Sequence, residues 1–498
     1  MVLLTMAENG NKTNGSTEFH PRMLINGELV EASDKKTFTL HNPATTAKLA
    51  DVPEATEDDA NAAVAAAKAA FPSWSETAPA TRGSYMHKLA SLIRSHNDEL
   101  AVLEAQSMGK PVGGYYDAYA AAVKFDHYAA SWDQIKGETS LNTPGKISMT
   151  FRQPYGVVAA IIPWNAPLLF FAFKAAPALI TGNTVVVKTS EKAPLAAAKV
   201  AELVKEAGFP PGVFNVISGH GTPSGAVLAS HMDVRALSFT GSARTGRLIQ
   251  EAAAKSNLKK VILELGGKSP ALVFEDADLD KAVADTSRSI QQNSGQICMA
   301  NSRVYVQKSI ASKFVEAFQK RFAQVNAGDP TKKETNHGPQ ADGFQYNNVL
   351  KYIEEGKTAG GSLAMGGKGK LDSMGGYFIE PTVFLDTPEN SRFMKEEIFG
   401  PVVNISTFDT EDEAIKVAND TEFGLYAAVF TKDLDRALRV AKALESGYVG
   451  VNTTSPNIAP DMPFGGYKSS GQGREGGTNS LDNFLELKTV LIDLGSRL

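Results

Sequence analysis

The chain has 498 residues, too many for one hydrophobic core, so the sequence predicts two or three packed units. Hydrophobic residues make up 43% and charged residues 21% of the chain, a balance typical of a folded globular protein rather than a disordered one. The formal net charge is −5 with both signs mixed along the chain, which argues against a nucleic-acid-binding surface and a polybasic membrane anchor. The longest apolar runs, residues 156–163 and 166–173, are too short to span a bilayer.

The two ends of the chain bear on its cellular location. Residues 1–20 are rich in Asn, Thr, Gly and Ser and lack the features of a transit peptide or a secretory signal, so we expect a flexible tail and a cytoplasmic protein. The C-terminal tripeptide Ser496-Arg497-Leu498 differs from the peroxisomal address Ser-Lys-Leu only in its arginine. A chance match and a location in the peroxisomal matrix fit this tripeptide equally well.

Residues 53–130 are predicted to be helical because they contain long alanine-rich stretches. Residues 137–154 contain an alternating segment and a Thr-Pro-Gly turn, which predicts a projecting hairpin. From Gly156 onward, apolar β-branched strands alternate with amphipathic helices, which indicates a parallel sheet covered on both faces. We interpret residues 21–135 and 155–266 as a Rossmann-like nucleotide-binding domain.

A second α/β region follows, and we assign residues 267–467 to a catalytic domain. Residues 484–494 alternate like a strand that has no partner nearby in the sequence. A lone strand and a projecting hairpin are exposed edges unless another subunit covers them, so we assign residues 136–154 and 482–498 to a small β oligomerisation arm. The predicted fold is therefore α/β with two domains and this arm, and we expect a homodimer or homotetramer.

Polar segments follow several of the predicted parallel strands. The Gly-x-Gly-x-x-Gly fingerprint of dinucleotide-binding proteins is absent after the first strand, which runs instead into Trp164 and Asn165. A later strand ends in Phe-Thr-Gly-Ser, where Gly241 allows close approach to a phosphate and Ser242 can cap a helix, although a purely structural cap is the commoner role of such a pair. Glu191 follows the second strand, where a carboxylate binds ribose hydroxyls and repels a 2′-phosphate, which favours NAD over NADP.

Cys298 is the only cysteine in the sequence, so a disulfide within the chain and a cysteine-rich metal site are excluded, and we predict no metal. Most free cysteines are small buried hydrophobic residues. Cys298, however, closely follows Gly295, which is expected to interrupt or end a helix. No histidine motif accompanies it, so activation of the thiol would come from backbone N–H groups, a helix terminus or a positively charged cofactor ring.

Three further segments have the composition of functional sites. Glu264 lies between leucines at the end of a strand, where apolar surroundings raise a carboxyl pKa toward that of a general base, although lone acids at strand ends are more often structural. A Glu-Glu-Ile-Phe-Gly-Pro segment contains Glu397 and Phe399, and a Pro-Phe-Gly-Gly segment contains Phe464. Each of these last two segments also fits a plain turn.

In this order and spacing, these motifs resemble those of the aldehyde dehydrogenase superfamily, especially its non-acylating, NAD-dependent class. The resemblance covers residues 25–493 and rests on Pro-Trp-Asn, Phe-Thr-Gly-Ser, Glu-Leu-Gly-Gly-Lys, Gly-Gln-x-Cys, Glu-Glu-Ile-Phe-Gly-Pro and Pro-Phe-Gly-Gly. It implies that NAD oxidises an aldehyde to its carboxylic acid through a thioester on Cys298. It also implies that Asn165 and the Cys298 backbone N–H hold the oxyanion, and that Glu264 activates the water that hydrolyses the thioester.

The resemblance further implies a set of cofactor contacts, running from the adenosine ribose to the nicotinamide. These residues are Lys188, Glu191, Gly241, Ser242, Leu265, Trp164, Glu397 and Phe399. Lys174 matches a supporting charge near the active site.

The sequence departs from the best-known tetrameric members of the family beside the expected substrate tunnel. Gln291 and Gln292 stand where those members usually have phenylalanines, and Ala166 replaces a bulky residue. We therefore predict a wider and more polar tunnel, suited to a larger or oxygenated aldehyde. The residues expected to line it are Phe170, Phe173, Gln291, Gln292 and Phe464.

Two other functions compete with this one. An acylating relative would pass the thioester to coenzyme A, but such enzymes typically lack a base at the position of Glu264. A non-catalytic descendant would keep the fold without the activity. The joint presence of Cys298, Asn165, Glu264 and Glu397 argues against the second alternative.

Overall fold

The computed structural model describes residues 19–369 and 375–495, so the predicted tail up to residue 18 and the tripeptide Ser496-Arg497-Leu498 lie outside the described residues. The strands are β1 (Met23–Ile25), β2 (Glu28–Val30), β3 (Thr37–His41), β4 (Lys48–Pro53), β5 (Thr139–Ser140), β6 (Lys146–Pro154), β7 (Val157–Ile161), β8 (Thr184–Lys188), β9 (Phe214–Ile217), β10 (Val234–Thr240), β11 (Lys260–Glu264), β12 (Pro270–Val273), β13 (Arg303–Gln307), β14 (Ser362–Met365), β15 (Thr382–Leu385), β16 (Val402–Phe408), β17 (Tyr426–Phe430), β18 (Tyr448–Val451), β19 (Gly471–Gln472) and β20 (Leu485–Asp493). The helices are α1 (Glu57–Glu76), α2 (Pro79–Ser95), α3 (Asn97–Met108), α4 (Asp117–Ala129), α5 (Pro167–Ile180), α6 (Leu195–Ala207), α7 (Ala226–Ser230), α8 (Ala243–Lys255), α9 (Leu279–Gln291), α10 (Ala311–Phe322), α11 (Gly343–Thr358), α12 (Arg392–Lys395), α13 (Glu411–Asn419) and α14 (Leu434–Ala443).

The first sheet has the strand order β19-β11-β10-β7-β8-β9-β1-β2. The five strands from β11 to β9 run parallel, and antiparallel strands join them at both edges. Successive residues of β7 enter different cores, because Val158 packs with α4, α5 and α6 whereas Val157 and Ala159 pack with α1 and α8. This burial on both faces explains why β7 is apolar throughout, and the five parallel strands confirm the predicted parallel sheet.

Helices α1 to α4 account for most of the region predicted to be helical. The first of them begins at Glu57 rather than at residue 53, because Pro53 still belongs to β4 and Thr56 caps the helix. The Thr56 hydroxyl accepts the backbone N–H of Asp59, and the Asp59 carboxylate accepts the backbone N–H of Thr56 at 2.9 Å, a reciprocal pair that satisfies free donors at a helix start. In the described part of the chain, no helix is long and apolar enough to cross a membrane.

The second sheet has the strand order β14-β15-β16-β13-β12-β17-β18. Its neighbouring strands are parallel except for β14 and β15. On one face, α10 buries the rings of Phe314, Phe318 and Phe322. This helix ends at Phe322, the last of the three rings.

A third, smaller sheet has the order β20-β6-β5. The C-terminal strand β20 pairs antiparallel with β6, from Leu485 opposite Pro154 to Asp493 opposite Lys146. The strand without a sequence neighbour therefore has a partner in its own chain, the predicted hairpin. Its side chains Leu487 and Leu491 stay exposed, at 72% and 57%.

Candidate active site

The carboxyl ends of the parallel strands bring several predicted site residues to one edge of the first sheet. β8 ends at Lys188 and β11 ends at Glu264. β10 ends at Thr240, directly before Gly241, and the chain that leaves β7 continues into Asn165. Open α/β sheets bind their ligands at this edge.

A turn from the second α/β region presents Cys298. Helix α9 ends at Gln291, and in the following turn Asn293 and Gly295 have positive φ values of 48° and 76°. A Cβ on Gly295 would lie 1.9 Å from the carbonyl oxygen of Gly400, so only glycine fits there. The expected break in the helix before Cys298 is thus present, and it begins ahead of Gly295.

Cys298 is a half-buried residue that packs against an apolar cluster formed by Leu425, Tyr426 and Phe464. The Cys298 carbonyl oxygen would lie 2.3 Å from a Cβ on Gly267, so the loop after β11 passes directly over it. Burial raises the pKa of the Cys298 thiol well above its usual range, and nearby carboxylates raise it further. The thiol is therefore protonated at neutral pH in this arrangement, and it has to lose its proton to act as a nucleophile.

Glu264 is a buried carboxyl group next to Cys298. It is 2% exposed, and neither of its oxygens has a hydrogen-bond partner among the described nitrogen and oxygen atoms. Burial raises the pKa of Glu264 to about 8, the charge of Glu475 adds to the rise, and Lys174 and the Cys298 thiol oppose it. A carboxyl group whose pKa lies near neutrality is suited to accept and release a proton.

Glu475 contributes to the site although no motif in the sequence contains it. Its Oε1 accepts hydrogen bonds from Lys174 Nζ at 2.5 Å and from Ser238 Oγ at 3.1 Å, and all three residues are buried. The available signal was Lys174 itself, because a lysine within the apolar helix α5 needs a carboxylate partner from elsewhere in the chain. The Lys174–Glu475 pair sets part of the charge around Glu264.

Asn165 lies between β7 and α5 and is 7% exposed. Its side-chain Nδ2 donates to the carbonyl oxygen of Gln296 at 3.1 Å, in the turn that presents Cys298. Its own carbonyl oxygen accepts hydrogen bonds from Lys110 Nζ and Asn293 Nδ2, each at 3.3 Å. The structure thus brings the Asn165 amide to the turn that carries the thiol.

The N-terminus of α8 fits an anionic group such as a pyrophosphate. Ser242 caps the helix through its hydroxyl, so the structural role considered for this residue is present. A Cβ on Gly241 would lie 2.4 Å from the ring of Phe239, and one on Gly246 would lie 2.8 Å from the side chain of Leu265. Both glycines therefore permit close packing at a helix end whose N–H groups and dipole favour an anion.

Lys188 and Glu191 follow at the end of β8. The Lys188 ammonium is buried and donates to the carbonyl oxygens of Thr189, at 2.9 Å, and Gly219. Burial lowers the pKa of Lys188 to about 8, while the charges of Glu191 and Glu54 raise it. Glu191 is half-buried on the turn after the strand.

Glu397 and Phe399 lie beside Trp164 and the loop that follows β11. Glu397 Oε1 accepts the backbone N–H of Gly267 at 2.9 Å, and burial raises the pKa of Glu397 to about 7. Phe399 has a positive φ of 60°, and its ring meets the Trp164 ring edge-on with centroids 5.3 Å apart. Such a conformation is costly for a bulky residue and is typical of functional loops.

These groups together have the chemistry that a dinucleotide requires. The Trp164 and Phe399 rings meet two residues from Glu397, the N-terminus of α8 lies at the same sheet edge, and an amine and a second carboxylate follow β8. Among residues 19–369 and 375–495, no group of three or more His, Cys, Asp or Glu side chains is placed to hold a metal ion.

Three of the predicted tunnel residues lie near one another. The ring centroids of Phe170 and Phe173 on α5 are 6.1 Å apart. A Cβ on Gly476 would lie 3.2 Å from the Phe173 ring and 3.9 Å from the backbone nitrogen of Phe464. The other two predicted members, Gln291 and Gln292, are half-buried. Gln291 is the last residue of α9, and Gln292 begins the turn that follows. Their place in the same tunnel stays a prediction.

Comparison with known sequences identifies one family. The sequence model described as the aldehyde dehydrogenase family matches residues 29–490. An aldehyde dehydrogenase of Davidiella tassiana is 47% identical over 487 residues, which cover 97% of this chain and 98% of that protein. The similarity therefore extends over both sheets and the arm.

Comparison with solved structures gives the same result. The aldehyde dehydrogenase KauB from Pseudomonas aeruginosa matches with a TM-score of 0.93 and 42% identity, covering 95% of this chain and 97% of that one. A variant of the P. syringae indole-3-acetaldehyde dehydrogenase AldA, solved in complex with NAD+, matches with a TM-score of 0.94 and 41% identity, covering 96% and 98%. By sequence and by fold, the chain belongs to the aldehyde dehydrogenase family, a family of oxidoreductases that act on aldehydes.

Proposed function

We propose that this protein oxidises an aldehyde to its carboxylic acid with NAD, through a hemithioacetal and a thioester on Cys298. The observation that carries the proposal is one site with three groups: the Cys298 thiol, the buried Glu264 carboxyl beside it and the Asn165 amide. A nucleophile, a base and an oxyanion donor are the groups needed to form a thioester from an aldehyde and then hydrolyse it.

The first step forms a carbon–sulfur bond. Cys298 Sγ attacks the aldehyde carbon while its proton passes to the Glu264 carboxylate, and the carbonyl oxygen becomes an alkoxide. Asn165 Nδ2 and the Cys298 backbone N–H donate to this oxygen, and loss of one such donor costs about 3–4 kcal/mol. Bound NAD supplies the hydride acceptor for this chemistry. Loss of hydride from the same carbon leaves the thioester on Cys298.

The second step breaks the carbon–sulfur bond. Glu264 first releases the thiol proton to solvent, and as a carboxylate it then takes a proton from a water molecule whose oxygen attacks the thioester carbon. The sulfur of Cys298 leaves as a thiolate and takes the proton from Glu264, and the carboxylic acid is released. With a pKa of about 8, about one-tenth of Glu264 is ionised at pH 7, so the base is available but limiting.

The cofactor contacts are proposed from the same sheet edge. Lys188 and Glu191 bind the adenosine ribose, and Glu397 and Phe399 hold the nicotinamide end. The remaining contacts are Trp164, Gly241, Ser242 and Leu265. In this proposal the first sheet marks the NAD-binding domain and the second sheet marks the catalytic domain.

An absorbance assay tests the proposed function against its alternatives. NADH should form with at least one member of a panel of short, bulky and oxygenated aldehydes. The product should be the free acid whether or not coenzyme A is present, because Glu264 supplies a base for hydrolysis. Formation of acyl-coenzyme A would indicate the acylating alternative, and no NADH with any aldehyde would favour the non-catalytic one.

Glu191 is expected to select NAD over NADP. Its half-buried carboxylate binds a ribose diol and repels a 2′-phosphate. Glu191→Gln should therefore raise the ratio of kcat/KM for NADP to that for NAD by about 10-fold or more, which corresponds to about 1.4 kcal/mol. Steady-state kinetics with both cofactors measures this ratio. Glu206→Gln, at the far end of α6, is the matched control, and an unchanged ratio in Glu191→Gln would contradict the assignment.

Gln291 and Gln292 are expected to widen the tunnel that Phe170, Phe173 and Phe464 line. The P. syringae relative is an indole-3-acetaldehyde dehydrogenase, so a bulky aldehyde fits this fold. In the double variant Gln291→Phe/Gln292→Phe, two rings would fill volume and remove polar groups. Its kcat/KM for bulky aldehydes should fall by about 10-fold relative to short aliphatic ones. Kinetics across the panel measures the ratio, and no change would reject the hypothesis of a wide, polar tunnel.

The arm, residues 136–154 and 482–498, is proposed as the contact of a homodimer or homotetramer. Leu487 and Leu491 stay exposed on β20, and assemblies commonly cover apolar surface of this kind. The variant Leu487→Lys/Leu491→Lys is expected to form a smaller species than the unmodified protein. Light scattering gives the mass of both proteins, and an equal mass would count against the arm as the contact.

A further inference from the structure

Lys110 is not one of the proposed reacting groups, but its side chain contacts the backbone of Asn165. It follows α3 directly after Gly109, whose positive φ of 85° turns the chain at the end of the helix. Lys110 Nζ lies 3.3 Å from the carbonyl oxygen of Asn165. Asn293 Nδ2 donates to the same oxygen, also at 3.3 Å, so two donors hold this carbonyl.

Buried acidic side chains hold Lys110 in turn. Its ammonium pairs with Asp117, the first residue of α4, and the two side chains are 11% and 10% exposed. Glu104 lies close to Asp117 and is 1% exposed, and the Tyr115 hydroxyl donates to it at 2.9 Å. Moving the ammonium would leave the buried Asp117 carboxylate without its cation, which is strongly unfavourable. Lys110 therefore has little freedom to leave the Asn165 carbonyl.

We infer that Lys110 is a positioning residue for the Asn165 amide, an inference that rests on the proposed role of Asn165 at the oxyanion. Lys110 fixes the backbone of Asn165 at its carbonyl, and the Gln296 carbonyl fixes one amide N–H at 3.1 Å. With both ends held, the second amide N–H keeps one orientation beside the turn that carries Cys298. Donors that are aligned before the reaction stabilise an oxyanion better than donors that have to reorient.

A purely structural role for Lys110 predicts a different behaviour. In that case Lys110 only neutralises Asp117, and its loss would lower stability and affect every kinetic step alike. A positioning role affects the step in which the oxyanion forms. It also operates only while residue 165 carries an amide that can be positioned.

A double-mutant cycle between Lys110 and Asn165 separates the two roles. The main measurement is the single-turnover rate of NADH formation, and the second is KM for NAD. Asn165→Ala is expected to lower the rate by about 10²–10³-fold, and Lys110→Met by about 10-fold with KM for NAD unchanged. In the Asn165→Ala background, Lys110→Met should have almost no further effect. An equal effect in both backgrounds, or none in the unmodified protein, would overturn the inference.

Two further variants guard against a folding defect. Lys110→Met/Asp117→Asn removes both charges of the ion pair, and it should show the same loss of rate with KM for NAD unchanged; a normal rate would overturn the inference. Lys110→Arg keeps the cation and should recover most of the rate, and no recovery would count against it. If Asn165→Ala itself leaves the rate unchanged, the proposed oxyanion role fails, and the inference fails with it. A different outcome would overturn the inference alone. In that outcome Asn165→Ala lowers the rate, but Lys110→Met lowers it by the same factor with or without the Asn165 amide.

Discussion

Replacing Cys298 with serine or alanine is expected to lower kcat by at least about 10⁴-fold. Cys298 is the only thiol in the sequence, so no other sulfur can carry the acyl group. A serine hydroxyl is a much weaker nucleophile at neutral pH, and alanine offers none. Steady-state kinetics measures kcat, and titration with NAD, followed by protein fluorescence, measures cofactor affinity.

The two replacements control for each other. Both should still bind NAD, because the proposed cofactor contacts lie on other segments, and this shows that the loss of activity is not a loss of fold. Serine keeps a polar group of similar size where alanine removes it, so an equal loss in both assigns the effect to the sulfur. If either variant keeps more than about one-hundredth of the normal kcat, Cys298 is not the acyl carrier.

Replacing Glu264 with glutamine is expected to lower kcat by about 10²–10⁴-fold by slowing thioester hydrolysis. Glutamine keeps the size of the side chain but cannot take a proton from water. If the thiol proton can still leave by another route, NADH should form in a first turnover and then stop. Stopped-flow absorbance measures this burst, and a steady rate equal to that of the unmodified protein would contradict the role of Glu264 as the base.

The pH dependence of the unmodified protein should report the same group. Burial raises the pKa of Glu264 to about 8, and only the ionised carboxylate accepts a proton. A rate limited by hydrolysis should therefore rise with pH, reach half of its maximum near pH 8 and level off at higher pH. Glu264→Gln lacks this ionisation, so its residual rate should lack this midpoint.

Glu475→Gln is the matched control for that pH dependence. Glu475 raises the pKa of Glu264, whereas Lys174 lowers it. Removal of the negative charge leaves the positive charge of Lys174 unopposed, so the midpoint should move below 8 while the base itself is retained. A midpoint that stays in place, or moves upward, would show that a group other than Glu264 controls the rate.

Much of this site could be predicted from the sequence because of where strands end. Residues 261–263 of β11 are apolar, so Glu264 stands out as a carboxyl group at the end of this strand. Lys188 and Gly241 stand out for the same reason after β8 and β10. Parallel strands align their carboxyl ends, which places these residues at one edge without any knowledge of side-chain contacts.

The contacts that tune the site could not be predicted in this way. Lys174 and Glu475 are 301 residues apart in sequence, and only the complete fold joins them. The same holds for Lys110, whose contact with the Asn165 carbonyl depends on the loop after α3 reaching the end of β7. Local patterns carry no information about such pairings, because each partner has an ordinary role when it is considered alone.

The arm shows the same limit at the level of strands. The alternation that predicts a C-terminal strand is a local property, and β20 forms as expected. Its partner β6 lies 331 residues earlier, counted from Pro154 to Leu485, so the pairing depends on the fold of everything between them. The residues near β20 in the sequence include no partner strand, but β6 of the same chain pairs with it.

The most direct test of the acyl-carrier role is the mass of Glu264→Gln after it is mixed with an aldehyde substrate and NAD and quenched in acid. Slow hydrolysis should trap the thioester, so the protein should gain the mass of the aldehyde minus two hydrogens. Peptide mapping should place the added mass on the peptide that contains Cys298. NADH formation with Cys298 unmodified, or an acyl group on another residue, would contradict the account.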